Sequence, residues 1–259
     1  MQVDSRFDLN RFWHLIKNDL LTNYRTILIT AGAAIGILLF INMVAMLTNG
    51  EAVVPLAFYL LMLFIGGFIV TSQSFNDLHH SQRSYVYLTL PASNLEKFLS
   101  KLVLTTIGYV TGTLILYFLF SVLMSVLNAL LFGYGYPLFN PFDRVVWICI
   151  GIYIITQSIF LLGAVYYKKQ AFIKTNLFLF LLQLAVSIFI VFLVKIVFWN
   201  YIQGWSFSPE DIILPSSAME DQLENFFMGF AGLMKFIFYW LLAPYLWLIT
   251  YFRLKETEA

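Results

Sequence analysis

Apolar residues fill long stretches of this chain, and charged ones are confined to the gaps between them. The runs 26–50, 52–76, 102–142 and 145–167 hold no Asp, Glu, Lys or Arg. Two further runs, 175–194 and 236–252, are also uncharged and are edged by Lys195 and Lys235. A charge at a bilayer centre costs several kcal/mol, and a helix needs about 20 residues to cross about 30 Å of hydrocarbon. The pattern therefore predicts six membrane-crossing helices, over 27–48, 53–75, 101–132, 144–166, 173–198 and 227–252. The third run is one long helix and not two short ones, because 133–142 (Gly-Tyr-Gly-Tyr-Pro-Leu-Phe-Asn-Pro-Phe) is turn chemistry.

Polar residues at the edges of these runs mark helix starts. Ser93-Asn94-Leu95-Glu96 is a capping-box pattern just after Pro91, which starts the third helix near Asn94. Asn140-Pro141-Phe142-Asp143 offers an N-cap at Asn140, a first-turn proline and an acid at the positive end of the dipole. Ser217 with Glu220 repeats the capping-box logic before the sixth helix.

Composition agrees with the pattern. The chain is 61% hydrophobic and only 11% charged, with a mean hydropathy of +0.82, against about 45–50% and about 25% in soluble domains. That balance excludes a soluble enzyme, a disordered chain and a nucleic-acid binder, and a net charge of +1 gives no footing for a polyanion. The single cysteine, Cys149, leaves no intrachain disulfide. The fold class is an all-α integral membrane protein, residues 1–259 forming a single transmembrane domain.

The basic residues set its orientation. With the N-terminus inside, Arg6, Arg11, Lys17, Arg25, Arg83, Lys97, Lys101, Lys168, Lys169, Lys174, Arg253 and Lys255 all fall on the inner side, and only Arg144, Lys195 and Lys235 lie toward the outside. The expectation is a multi-pass protein of the cytoplasmic (inner) membrane with both termini cytoplasmic. The first span is too long for a signal-peptide core and follows a polar leader, so no cleavage is expected.

In that leader, 7–22, Leu9, Phe12, Trp13, Ile16 and Leu20 share one helical face, with Asn10, Arg11, His14, Lys17 and Asn18 away from it. Phe12, Trp13, Ile16 and Lys17 would anchor an interfacial helix lying on membrane lipid; the alternative is a helix packed on a protein surface. The 75–100 loop is the longest inner connection and sets Tyr85, Tyr87, Leu88 and Leu90 beside charges, as a docking surface for a soluble partner does. These side chains could instead dip into the lipid interface. His79-His80 has no acidic or thiol cluster nearby and reads as a solvated pair, with no metal expected. The outer segment 199–225 carries Glu210, Asp211, Glu220, Asp221 and Glu224 without a basic residue, as one or two short helices or an acidic loop.

No phosphate loop, His-Glu-x-x-His or Gly-x-Ser-x-Gly is present, so no catalytic residue is assigned. Lys195 and Lys235 lie close enough to the outer boundary to snorkel to water. Gly32-x-x-x-Gly36 and Gly108-x-x-x-Gly112 permit close helix approach, and Pro244 should bend the sixth helix.

The stretch Tyr87-Leu88-Thr89-Leu90-Pro91-Ala92-Ser93-Asn94-Leu95-Glu96-Lys97-Phe98-Leu99-Ser100-Lys101 resembles the segment that opens the third span in the ABC-2-type permease family of ABC exporters. Tyr167–Thr175 and Tyr251–Glu256 are similar to further stretches of that family. The resemblance implies a type V exporter-like bundle with an N-terminal elbow helix at 7–22, short outer helices at 208–222, and a coupling helix at about 76–90. It places the contact with a separate ABC ATP-binding subunit on Asp77, Leu78, Gln82, Arg83, Tyr85 and Tyr87. It also implies a second permease chain, identical or not, and ATP and Mg bound by the ATPase, with no cofactor on this chain. With few charges in the spans, the implied function is export of a lipid-like or amphipathic cargo. Two rivals remain. One is an accessory, immunity-type or sensory membrane protein of the same fold that does not transport. The other is an intramembrane enzyme built around Cys149, Asn128 and Gln157.

Overall fold

The computed structural model describes residues 7–49, 55–79, 92–133, 138–197, 229, 232 and 234–258. Every regular element among them is helical. Six helices are long and apolar enough to cross a membrane, and these are spans 1 to 6: Leu9–Ala45, Leu56–Leu78, Asn94–Leu131, Arg144–Tyr166, Ala171–Leu193 and Met234–Thr257. The end of the bundle where Phe75, Phe98, Leu161 and Leu254 meet, which holds the start of span 1 and the end of span 6, is here termed the terminal end.

Span 4 matches its expected limits, and its caps explain why. Asp143 has extended backbone and its carboxylate accepts a hydrogen bond from Val145 N at 3.0 Å, which fixes the start at Arg144. Asn140, the expected N-cap, instead closes a turn one step earlier: its side chain accepts from Phe142 N at 3.0 Å. Two capping residues stand three apart, and the one adjoining the helix takes the role. Span 3 begins at Asn94 as expected, with both halves of the Ser93–Glu96 capping box formed.

The leader differs from expectation. Residues Leu9–Asn49 form one unbroken helix of 41 residues, about 62 Å long at 1.5 Å per residue. No Gly or Pro occurs before Gly32 to interrupt the hydrogen-bond ladder, so no separate elbow element forms. The excess length runs beside the equally overlong start of span 3, to which it is tied by charge.

Span 4 is the hub. It packs against spans 2, 5 and 6, and it reaches span 3 through Tyr153. One core cluster lies between spans 1 to 4 and centres on Tyr59, Tyr117, Phe139 and Tyr153. Phe139, just before span 4, sets its ring 4.9 Å from that of Tyr59, tilted, and 5.0 Å from that of Tyr117, edge to face. A second cluster at the terminal end joins Phe75, Phe98, Leu161, Ala164, Val165 and Leu254.

Close backbone approach occurs at glycines other than those of the two expected motifs. Gly32, Gly36 and Gly112 have no neighbour that a Cβ would meet, and Gly108 meets only its own helix. A Cβ at Gly66 would strike the Tyr109 hydroxyl, one at Gly67 the Tyr153 ring, and one at Gly163 the Thr175 side chain. Spacing alone shows which glycines could pack; the tyrosines opposite decide which do.

Candidate functional site

Two arrangements stand out from ordinary apolar packing, one in mid-bundle and one at the terminal end. The first begins with three π-helical turns: Met62–Gly66 in span 2, Leu104–Gly108 in span 3 and Ile237–Leu241 in span 6. A π turn inserts one extra residue and leaves a carbonyl without its usual partner along the helix. In a membrane that group must be satisfied from within the protein.

Tyrosines from neighbouring spans donate into two of these turns. The Tyr109 hydroxyl donates to the Met62 carbonyl at 2.7 Å, and the Tyr153 hydroxyl donates to the Thr105 carbonyl at 3.0 Å. Gln157 Nε2 donates to Thr105 Oγ1 at 2.8 Å, and that hydroxyl donates in turn to the Lys101 carbonyl at 2.8 Å. Spans 2, 3 and 4 are thus latched through two π turns. In span 6 the π turn stands just before Pro244, whose missing N–H already breaks the ladder.

Around the latches lies a seam of buried polar side chains: Thr71, Ser72, Thr105, Thr106, Gln157 and Ser158. Gln157 is fully buried, and its Oε1 accepts no hydrogen bond within the described residues; Ser72 Oγ is in the same position. Asn42 of span 1 and Asn128 Nδ2 of span 3 are also buried without partners there. The seam therefore holds spare hydrogen-bonding capacity inside an apolar bundle. Cys149 is half-buried and unpaired in any disulfide, and among the described residues no three His, Cys, Asp or Glu side chains converge on a metal-sized space.

The second arrangement is an ionic clasp between the leader and the start of span 3. Glu96 is fully buried. Its Oε1 accepts from Asp8 N at 2.7 Å and lies 3.3 Å from Arg11 Nη2, while Oε2 accepts from Ser93 N at 2.8 Å. About one and a half turns further along span 3, Lys101 Nζ meets Asp19 Oδ2 at 2.8 Å. One carboxylate thus caps the third helix, anchors the leader's first turn and neutralises a guanidinium. Breaking a buried pair of this kind costs about 3–5 kcal/mol, because the remaining charge is left without compensation.

The sequence-predicted site residues fall on both sides of this clasp. Leu78 sits on the short helix Asn76–His79 and packs into the terminal-end core against Phe75, and Asp77 beside it is half-buried. Gln82, Arg83, Tyr85 and Tyr87 lie outside the described residues, as do His80, Pro91 and the acidic outer segment with its helices at 208–222. In the leader, Ile16 is buried and Phe12 half-buried against span 3, whereas Trp13, at 61% exposure, and Lys17 point outward. Sequence reasoning did not single out Arg11, Tyr109 or Tyr153, and it read Glu96 as a cap alone. The available signal was a tyrosine in mid-span, away from the interfacial belts where that residue is common.

Comparison of the chain with protein-family models, with curated proteins and with solved structures finds no match.

Proposed function

We propose that this chain is the transmembrane subunit of an ABC exporter, moving a lipid-like or amphipathic cargo with ATP hydrolysed by a separate subunit. The observation that carries the reading is the clasp at Glu96. It ties the leader to the start of span 3, and the apolar cluster beside it joins Phe98 to Phe75 at the end of span 2, so that three spans meet at the terminal end around the ends of the 80–91 segment. A soluble motor docking there would push on three spans at once. The family resemblance of 87–101 supports the same placement, since that segment contains the clasp residue.

The latched π turns supply the moving part. A π turn interconverts with α-helix by shifting one residue's hydrogen bond, a small step with two discrete end states. Tyr109 and Tyr153 hold spans 2, 3 and 4 in the present state, and release of either frees a carbonyl that needs a new donor. In this reading, ATP-driven closure of the partner shifts the bundle between two such states, exposing the polar seam alternately to the two sides. Buried, neutral hydrogen-bonding groups suit a cargo with an uncharged polar part and an apolar body. A metal ion or a proton would require charged ligands or relays.

The test is co-purification of the full chain in mild detergent with the product of a neighbouring phosphate-loop reading frame, followed by ATPase assay. Association expected for the wild type should fall at least tenfold in R83A/Y85A, while membrane insertion is unchanged. Unaltered association in that double variant contradicts the docking assignment. Absence of any ATP-binding companion contradicts the exporter reading.

A further inference from the structure

At the terminal end, spans 4, 5 and 6 meet in a corner built from cations and aromatic rings. Span 4 ends at Tyr166, and a short connection leads into span 5 at Ala171, closed by Gln170 in the left-handed region at φ 55°. The Tyr166 and Tyr167 rings meet edge to face at 5.2 Å. The Arg253 guanidinium of span 6 lies 5.4 Å from the Tyr166 ring centre, and Lys174 Nζ of span 5 lies 5.8 Å from that of Tyr167. A chain of contacts, Arg253–Tyr166–Tyr167–Lys174, thus ties three helix ends together, with Lys168 and Lys169 exposed in the connection between them. Glu256, 2.8 Å from Arg253, offsets part of this charge and leaves the corner strongly positive.

Just membrane-ward, the surface turns apolar: Leu177 of span 5 and Phe252 of span 6 are exposed beyond Lys174 and Arg253. A phosphate with two acyl chains matches that order of chemistry, whereas a free anion would gain nothing from the apolar half. Cations fixed over aromatic faces are already oriented, so less entropy is lost when they take a phosphate oxygen. Each Lys or Arg near an anionic membrane surface contributes about fivefold in affinity.

We propose that this corner binds one anionic phospholipid: Lys168, Lys169, Lys174 and Arg253 hold its phosphate, and its chains lie along Leu177 and Phe252. The site concerns a resident lipid and stands whether or not the chain exports a cargo.

The experiment is native mass spectrometry of the full chain in detergent, titrated with dioleoylphosphatidylglycerol and, separately, with dioleoylphosphatidylcholine. The first phosphatidylglycerol should bind at least tenfold more tightly than phosphatidylcholine. K168Q/K174Q should weaken it about 25-fold. R144Q/K235Q, which removes the same charge from exposed positions at the opposite end of the bundle, should change it less than threefold. R253K keeps the charge but loses the planar group, and should fall between the two. Equal losses in the two double variants would mean unspecific surface charge and overturn the proposal. Displacement of the lipid by millimolar inorganic phosphate would reassign the corner to a free anion. Unchanged lipid binding in K168Q/K174Q, with lost association to an ATP-binding subunit, would make it a protein contact.

Discussion

Spans 4 and 5 are neighbours in sequence, similar in length and nearly equal in hydropathy, yet they occupy opposite environments. Of the most apolar stretch in span 4, 44% is buried in the bundle; in span 5 none is. The difference lies in what interrupts the apolar run. Span 4 carries Tyr153, Gln157, Ser158, Gly163 and Ala164, groups that hydrogen-bond across helices or let backbones approach. Span 5 offers Thr175 near its start and then mainly large apolar side chains from Leu177 to Ile196. Lipid tails solvate Leu and Phe as well as another helix does, so hydrophobicity places a helix in the membrane without deciding what it packs against. Small and polar residues make that choice.

The largest expected effect lies at the terminal end, where span packing depends on a buried charge. Glu96→Gln should cost about 3 kcal/mol of stability in denaturant titration of the detergent-solubilised chain, since the buried carboxylate's pairing with Arg11 is lost and only the longer contact of Arg11 with Asp8, at 3.7 Å, remains. Glu256→Gln breaks the exposed Arg253 pair and should cost under about 0.5 kcal/mol in the same titration. Equal costs would remove burial as the reason the clasp matters.

Gly163→Val comes next. It places side-chain atoms onto Thr175, at the one region where span 5 is held closely to span 4, and overpacking of this kind costs about 1–3 kcal/mol. A crosslink formed efficiently between cysteines at 163 and 175 in the C149S background should also report this contact. Tyr153→Phe keeps the ring and removes one hydrogen bond to the Thr105 carbonyl, for about 0.6–1 kcal/mol. Its larger signature should be dynamic: faster amide hydrogen exchange around Leu104–Gly108, where the π turn loses its donor. Phe189→Ala is the smallest, under about 0.5 kcal/mol for the isolated chain, because lipid covers that side chain. A loss above about 2 kcal/mol would show that protein, such as a second copy, covers span 5.

Much of this architecture was legible in the sequence. The limits of span 4 and the start of span 3 could be read because charge, capping residues and hydropathy all change at the same residue. The leader was legible as a helix, but an apolar stripe with cations opposite looks the same whether it faces lipid or another helix. The Glu96–Arg11 and Lys101–Asp19 pairings, between residues far apart in the chain, show that it lies beside span 3. The latches were hidden for a related reason. A π turn leaves no composition signature, and Tyr109 and Tyr153 differ from interfacial tyrosines only in depth. Gly66, Gly67 and Gly163 matter because of what faces them, which spacing does not encode.

The proposed function requires the end carrying the Glu96 clasp to face the cytoplasm, where an ATP-hydrolysing partner would dock. Cysteine labelling tests it most directly: in the C149S background, single cysteines replace Asp77 and Lys169 at that end and Phe142 at the other. A membrane-impermeant maleimide applied to intact cells should label the Phe142 position alone, with the other two reacting only once the membrane is opened. Labelling of positions 77 and 169 from outside, with 142 protected, would contradict it.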